Sequence, residues 1–349
     1  MLASDLPAWF VLVTAFLLGA TWGSFFNVAI HRWPREMSVV SPPSHCPACQ
    51  APIPGWRNVP ILAYLLQRGR AACCGAPMTP RYVVVELTAG VAAVAIANRW
   101  VVHALDSTSL GAAGLEAALW FTMVGGLLIA TFVDLEWLEI PDEVSIGGTA
   151  LALCTVAFRP GIPIEEIALG AGGAYLTVEL LLVWSWERLT GERGMGEGDA
   201  KLAMFIGAFL GWRGALFALV AGCVQGIAGY AIARATGTRL TPSRDHAEGP
   251  ETEAAPGPAP AERKPASAEP APAERKLASA EPASAEPAPA EPAPAASAKV
   301  APEAGTGERD PDAAENPRWI PFGPFLALGA IEFLFFGETI VAYYLSLFE

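Results

Sequence analysis

Apolar residues in this chain come in long runs separated by short polar stretches. The runs lie at about 8–28, 82–102, 115–133, 144–159, 166–185, 200–212, 214–233 and 322–347. A helix needs about 20 apolar residues to cross roughly 30 Å of hydrocarbon. The pattern therefore predicts an all-α membrane protein, a polytopic bundle of about eight transmembrane helices, with the runs at 144–159 and 200–212 short for the task. The first run starts near Met1, but no basic residue precedes it, and Arg32 and Arg35 follow it. That is not the layout of a cleavable signal peptide, so a retained helix with its N-terminus outside is expected.

Composition agrees: 53% of the 349 residues are hydrophobic and 16% are charged. The loop between the first two runs carries Arg32, Arg35, Arg57, Arg68, Arg70 and Arg81 against a single acid, Glu36. By the positive-inside rule this loop is cytoplasmic, and alternation then puts 134–143, 186–199 and 234–320 inside as well. The net charge of −13 argues against a nucleic-acid partner. Nearly half of it sits in residues 236–318, which hold 15 acidic and 9 basic side chains. There "PAPAERKPASAE" is followed by "PAPAERKLASAE", with hardly an aromatic or β-branched residue. Such a tract cannot bury enough apolar surface to offset its ordering entropy and is expected to be a disordered cytoplasmic linker.

Two acids stand at membrane edges. Asp134 closes the third run in "LIATFVDLEWLEIPDEVSI", and Asp199 opens the sixth in "GMGEGDAKLAMFIGAFLGW". Two crossings lie between them, so both face the cytoplasmic side. Two carboxylates in one partly desolvated site cannot both ionise cheaply, and such a pair holds one proton between them. One partner can then take a proton from an attacking water while the other donates to a peptide carbonyl, which is metal-free aspartic protease chemistry. Gly194, Gly196 and Gly198 keep the backbone bare where a substrate strand would approach. A solvated acidic loop beside a flexible turn is the plainer reading of the same residues, and a proton or cation relay in a transporter is a third. Against the relay, the acids cluster at one membrane edge and no inverted repeat is apparent.

"GMGEGDAK" matches the Gly-x-Gly-Asp-x-Lys signature of the bacterial type IV prepilin peptidases, and "DLEWLEIPD" is similar to their other aspartate block. "GSFFNVAIHRWP" at 23–34 and "IPFGPFLALGA" at 320–330 extend the resemblance over nearly the whole chain except 236–318. The resemblance implies Asp134 and Asp199 as the catalytic pair, with Gly196, Gly198, Lys201 and Asp142 supporting them. It implies an inner-membrane enzyme whose partners are prepilin and pseudopilin precursors, each a short basic leader followed by an apolar helix held in the lipid bilayer. It also implies methylation of the new N-terminus by S-adenosylmethionine, with Gly69 and Arg70 at matching loop positions. No glycine-rich nucleotide fingerprint supports that second activity independently. The expected divisions are a first helix (1–30), a cysteine-rich loop domain (31–81), a transmembrane peptidase core (82–235), the linker (236–318) and a last helix (319–349).

The loop "SHCPACQAPIPGWRNVPILAYLLQRGRAACCGAPMTPRY" pairs Cys46-x-x-Cys49 with Cys73 and Cys74 about two dozen residues on. That spacing predicts a structural zinc ion stapling a loop too short to fold by its own core. The family shows two Cys-x-x-Cys pairs, whereas here Ala71 stands where the third cysteine should be. Cys73, despite its adjacency to Cys74, or His45 is left to complete the shell.

Overall fold

The computed structural model describes residues 2–104, 107–159, 161–191, 195–237 and 321–346. Gly194 and the expected linker, apart from Thr236 and Gly237, lie outside the described residues, as do the first two residues of the last expected division. The described chain is helical. Its only extended pairings are isolated bridges, Leu2 with Ser109, His45 with Pro52 and Arg70 with Pro77.

Helix α1 spans Ala8–Arg32, the short α2 spans Leu62–Leu66, and α3 spans Arg81–Ala97 before a π-helical turn at Asn98–Val102. α4 spans Leu110–Trp137, α5 spans Asp142–Cys154, and α6 spans Ile164–Leu176. A π-helical stretch, Thr177–Trp184, joins α6 to α7, Ser185–Thr190, which ends at Gly191 in the left-handed conformation. α8 spans Glu197–Thr236 and α9 spans Gly323–Ser346. Five helical stretches are long and apolar enough to cross a membrane: Ala8–Arg35, Arg81–Val102, Leu110–Trp137, Ile164–Thr190 and Glu197–Thr236. Several such helices in one chain imply a multi-pass membrane protein.

The expectation of about eight spans meets this count at two places. α8 holds two of the expected runs. At 40 residues it would measure about 60 Å if straight, twice the hydrocarbon thickness. It is broken at Gly211, whose φ of 70° and ψ of −178° suit glycine alone. The chain bends there so sharply that a Cβ on Gly214 would lie 2.3 Å from that of Leu210. The second departure is α5, which stops after 13 residues, where the apolar pattern predicts a span of about 16. The Thr155 hydroxyl takes the Leu151 carbonyl at 2.6 Å, and the chain leaves the helix through one 3₁₀ turn, Val156–Phe158. The apolar stretch of α9, Gly323–Gly337, is also shorter than the five.

α8 is the axis of the packing, touching α5, α6 and α9, while α1 packs on α3. Against α6 the approach is backbone to backbone: a Cβ on Gly207 would fall 2.2 Å from the Gly170 oxygen. Lipid tails are as apolar as the helices, so association relies on such close contact instead of on expelling water. Met123, Leu127, Phe205, Ile206, Phe209 and Leu326 are fully buried between α4, α8 and α9.

Candidate active site

α4 ends where Leu138 turns into the left-handed conformation and donates its N–H to the Asp134 carbonyl at 3.0 Å. Pro141 then caps the start of α5. This puts Asp134 in the last turn of α4, 6% exposed. The same end is fastened from outside by an Arg81–Glu136 ion pair and by the Arg35 guanidinium, 4.6 Å over the Trp137 ring. Asp199 enters from the other side as the third residue of α8 and is 9% exposed. Its N–H reaches the Gly196 carbonyl at 3.2 Å, and an acid in a helix's first turn is favoured by the exposed N–H groups there. The two carboxylates lie close enough to interact directly through their charges.

The supporting residues divide by partner. Gly196 caps α8 in an extended conformation, and a Cβ there would meet the Asp199 Oδ2 only at an ordinary 3.6 Å. Gly198 has a packing reason for its bareness, since a Cβ would stand 3.1 Å from that of Ile140 in the α4–α5 turn. Lys201 bonds Asp142 at 3.0 Å and Glu197 at 3.1 Å. Asp142, its side chain 57% exposed, is thereby tied to the lysine at the mouth of the site.

Sequence reasoning gave no role to two residues, one that touches this machinery and one that braces the helix carrying Asp199. The Gly323 N–H, first in α9, donates to Asp134 Oδ2 at 2.9 Å. Its only advance signal was membership of "IPFGPFLALGA". Arg159, 1% exposed, donates to the carbonyls of Ala152, Ala208 and Phe209. Nothing in its apolar surroundings announces that role. Glu86, an acid just inside the second run, is buried and accepts the Ile61 N–H at 2.7 Å, so it anchors the loop carrying α2 to α3.

The four cysteines converge. Cys46, Cys49, Cys73 and Cys74 place their sulfurs within 4.8 Å of one another, so together they could hold a metal ion. The closer contacts are 3.3 Å for Cys49–Cys73, 3.8 Å for Cys46–Cys74 and 3.9 Å for Cys73–Cys74. A tetrahedral ion with metal–sulfur bonds of about 2.3 Å needs sulfurs roughly 3.8 Å apart. The cluster fits. His45 bonds the Pro43 carbonyl, and the cysteines supply four ligands without it. Two turns of one design hold them. Cys46 N–H bonds the Ala51 carbonyl and Gln50 N–H the Cys46 carbonyl; Ala71 N–H bonds the Ala76 carbonyl and Gly75 N–H the Ala71 carbonyl. Ala71 thus occupies the place of Cys46 and Cys74 that of Cys49, with Cys73 as the displaced fourth ligand. The Cys49 N–H is the main cause lowering the Cys46 thiol to about 7, whereas contact with Cys49 pushes Cys73 up to about 12.

Gly69 and Arg70 lie on this second turn. Gly69 sits at φ 69°, its N–H on the Tyr64 carbonyl and its own carbonyl taken by Met78, and Arg70 bridges to Pro77. These contacts are local to the turn.

The chain is matched by the bacterial peptidase A24 N-terminal domain family over residues 17–100 and by the type IV leader peptidase family over residues 120–231. It is 34% identical over 205 residues to a prepilin leader peptidase/N-methyltransferase of Klebsiella pneumoniae, covering 57% of this chain and 84% of that protein. It is 29% identical over 344 residues to the protein of that name from Myxococcus xanthus (strain DK1622), covering 97% and 94%. With the Aeromonas hydrophila protein of the same name identity is 34% over 236 residues, 61% and 77% of the two chains. No solved structure matches. The two carboxylates, the cysteine loop and these likenesses agree, and the chain belongs to the bacterial type IV leader peptidase family, peptidase A24.

Proposed function

We propose that this chain is a membrane aspartic endopeptidase that removes the leader of prepilin and pseudopilin precursors, with Asp134 and Asp199 as its catalytic pair, and that it methylates the N-terminus it exposes. The observation that carries the reading is that two buried acids, one at the end of α4 and one at the start of α8, stand near enough for the Asp134 charge to act on Asp199. Relatives carrying the name prepilin leader peptidase/N-methyltransferase supply the reaction. The pair shares one proton. The ionised carboxylate takes a proton from water as the oxygen attacks the scissile carbonyl; the protonated one gives its proton to the carbonyl oxygen. Collapse of the tetrahedral intermediate then passes a proton to the leaving amine.

The enzyme spans the bacterial inner membrane about eight times with its site facing the cytoplasm. A basic leader stays in the cytoplasm near Asp142 and Glu197 while the precursor's apolar helix rests among the spans. Cys46, Cys49, Cys73 and Cys74 bind structural Zn²⁺, which staples the 31–81 loop. S-adenosylmethionine supplies an electrophilic methyl group, and Gly69 and Arg70 are the residues the resemblance nominates beside it.

Co-expression with a prepilin, read by mass spectrometry for leader removal and N-methylation, tests this. Asp134→Asn and Asp199→Asn are each expected to stay in the membrane and to cut at least about 1,000-fold more slowly. The double variant is expected to be no worse than either single, because the pair acts as a unit. Normal processing by either single variant would eliminate the assignment.

A further inference from the structure

We propose that Gly323 is a positioning residue of the catalytic pair: the first N–H of the last helix seats the Asp134 carboxylate, and only a residue without a side chain can deliver it. The inference rests on the reading of Asp134 and Asp199 as that pair. The first N–H groups of a helix have no partner within it. In α9 those of Phe325 and Leu326 turn back to the Phe322 carbonyl at 3.0 and 3.1 Å, so Phe322 acts as the cap. Pro324 has no N–H to place. The remaining donor, Gly323, points out of the helix at Asp134 Oδ2, 2.9 Å away in a buried contact. A carboxylate there also meets the positive end of the α9 dipole.

The space is as restrictive as the bond. A Cβ on Gly323 would lie 2.8 Å from Asp134 Oδ2, 3.3 Å from its Cγ and 3.4 Å from its Cβ. The three nearest neighbours of that added atom all belong to the one side chain, so an alanine has to displace the carboxylate itself. Gly323 also lies beyond both family matches, which end at residues 100 and 231. The site is thus completed by a helix that enters after residues 236–318, and the peptidase region 120–231 does not contain all of it.

The test compares full-length wild type, Gly323→Ala and Gly226→Ala, measuring kcat and KM for prepilin cleavage and, separately, methylation of a pilin already cleaved. Gly226 is the packing control on the same α8–α9 contact, because a Cβ there meets Phe325 at an unstrained 3.7 Å. Displacing a catalytic group by about 1 Å costs on the order of 100-fold. Gly323→Ala is therefore expected to lose about 100-fold in kcat with little change in KM, while its methylation and the Gly226→Ala cleavage stay at wild-type level. Gly323→Ala that cleaves at the wild-type rate, or that loses cleavage and methylation equally, overturns the inference. Should Gly323→Ala accumulate poorly, Asp134→Ala/Gly323→Ala decides: removing the obstructed carboxylate restores membrane abundance and thermal stability if the clash is the cause, and failure to restore them overturns it. A wild type that cleaves no prepilin overturns the underlying assignment of the pair, and this inference with it.

Discussion

The Arg159 guanidinium donates to the Phe209 carbonyl at 2.9 Å, two residues before α8 breaks at Gly211. A break removes the N–H partners of the carbonyls one turn earlier, and a buried carbonyl left bare is costly. Arg159 supplies the replacement, taking Ala208 at 3.2 Å as well and reaching back to Ala152 of α5 at 2.6 Å. Its planar face lies 4.8 Å from the Phe209 ring centroid. A cation at the negative end of a helix is favoured by the dipole, so one buried side chain both closes the arm that carries Asp199 and ties it to α5.

Arg159→Met should therefore lower stability by about 2–4 kcal/mol, since three carbonyls lose a charged donor and stay buried. Arg159→Lys keeps the charge but not the fork that spans neighbouring carbonyls, and should fall between the two. Gly211→Ala should cost about 1–3 kcal/mol through backbone strain at a conformation restricted to glycine. Thermal unfolding in detergent micelles measures all three. An Arg159→Met protein as stable as wild type would mean that water or lipid serves these carbonyls equally well.

Much of this site was readable in advance, for a specific reason. Counting crossings puts Asp134 and Asp199 on one membrane face, through the two apolar runs that lie between them. In the structure those runs are α5 and α6, and the Gly211 break comes after Asp199, outside that count. The cysteines were readable as a set because metal spacing is local. Their fourth member was narrowed to Cys73 or His45 and no further, because the placement of Cys73 depends on how the Ala71 turn copies the Cys46 turn. Gly323 and Arg159 work through backbone groups, which have the same chemistry at every position and so leave no mark on the sequence. The end of α5 was missed because Thr155, Val156, Ala157 and Phe158 are apolar enough to read as span.

Lys201 bridges α8 to Asp142 at the first residue of α5, and also holds Glu197 one turn back on its own helix. Both acids are more than half exposed, which limits each pair to about 1 kcal/mol or less. The expected effect of Lys201→Met is correspondingly small: unfolding hardly changed and cleavage slowed about 3- to 10-fold, as the start of α8 beside Asp199 loses its tether to α5. A double-mutant cycle of Lys201→Ala and Asp142→Ala should show a coupling of about 0.5–1 kcal/mol in kcat/KM. Additive losses would indicate that the two residues act separately, with Asp142 facing substrate and not its lysine partner.

The copied turns make a sharper prediction for the cysteine loop. Ala71 occupies, in the second turn, the place that Cys46 holds in the first, with the same pair of backbone hydrogen bonds around it. A cysteine moved there should point its sulfur at the cluster as Cys46 does. The Ala71→Cys/Cys73→Ala protein is therefore expected to bind one zinc ion as tightly as wild type, whereas Cys73→Ala alone leaves three sulfurs and binds more weakly. Binding must also fall with acid, because metal displaces protons from thiols. Cys46, lowered to about 7, gives its proton up readily, while Cys73, raised to about 12 without metal, must be driven to do so. Apparent affinity should thus drop by about tenfold per pH unit for each thiol protonated in the free protein, and more steeply below pH 7, where Cys46 joins the others. Metal content after dialysis against a competing chelator, compared between pH 6 and 8, reads both effects. Failure of the relocated cysteine to recover binding would show that the adjacent Cys73–Cys74 geometry, and not the repeated turn, sets the shape of the site.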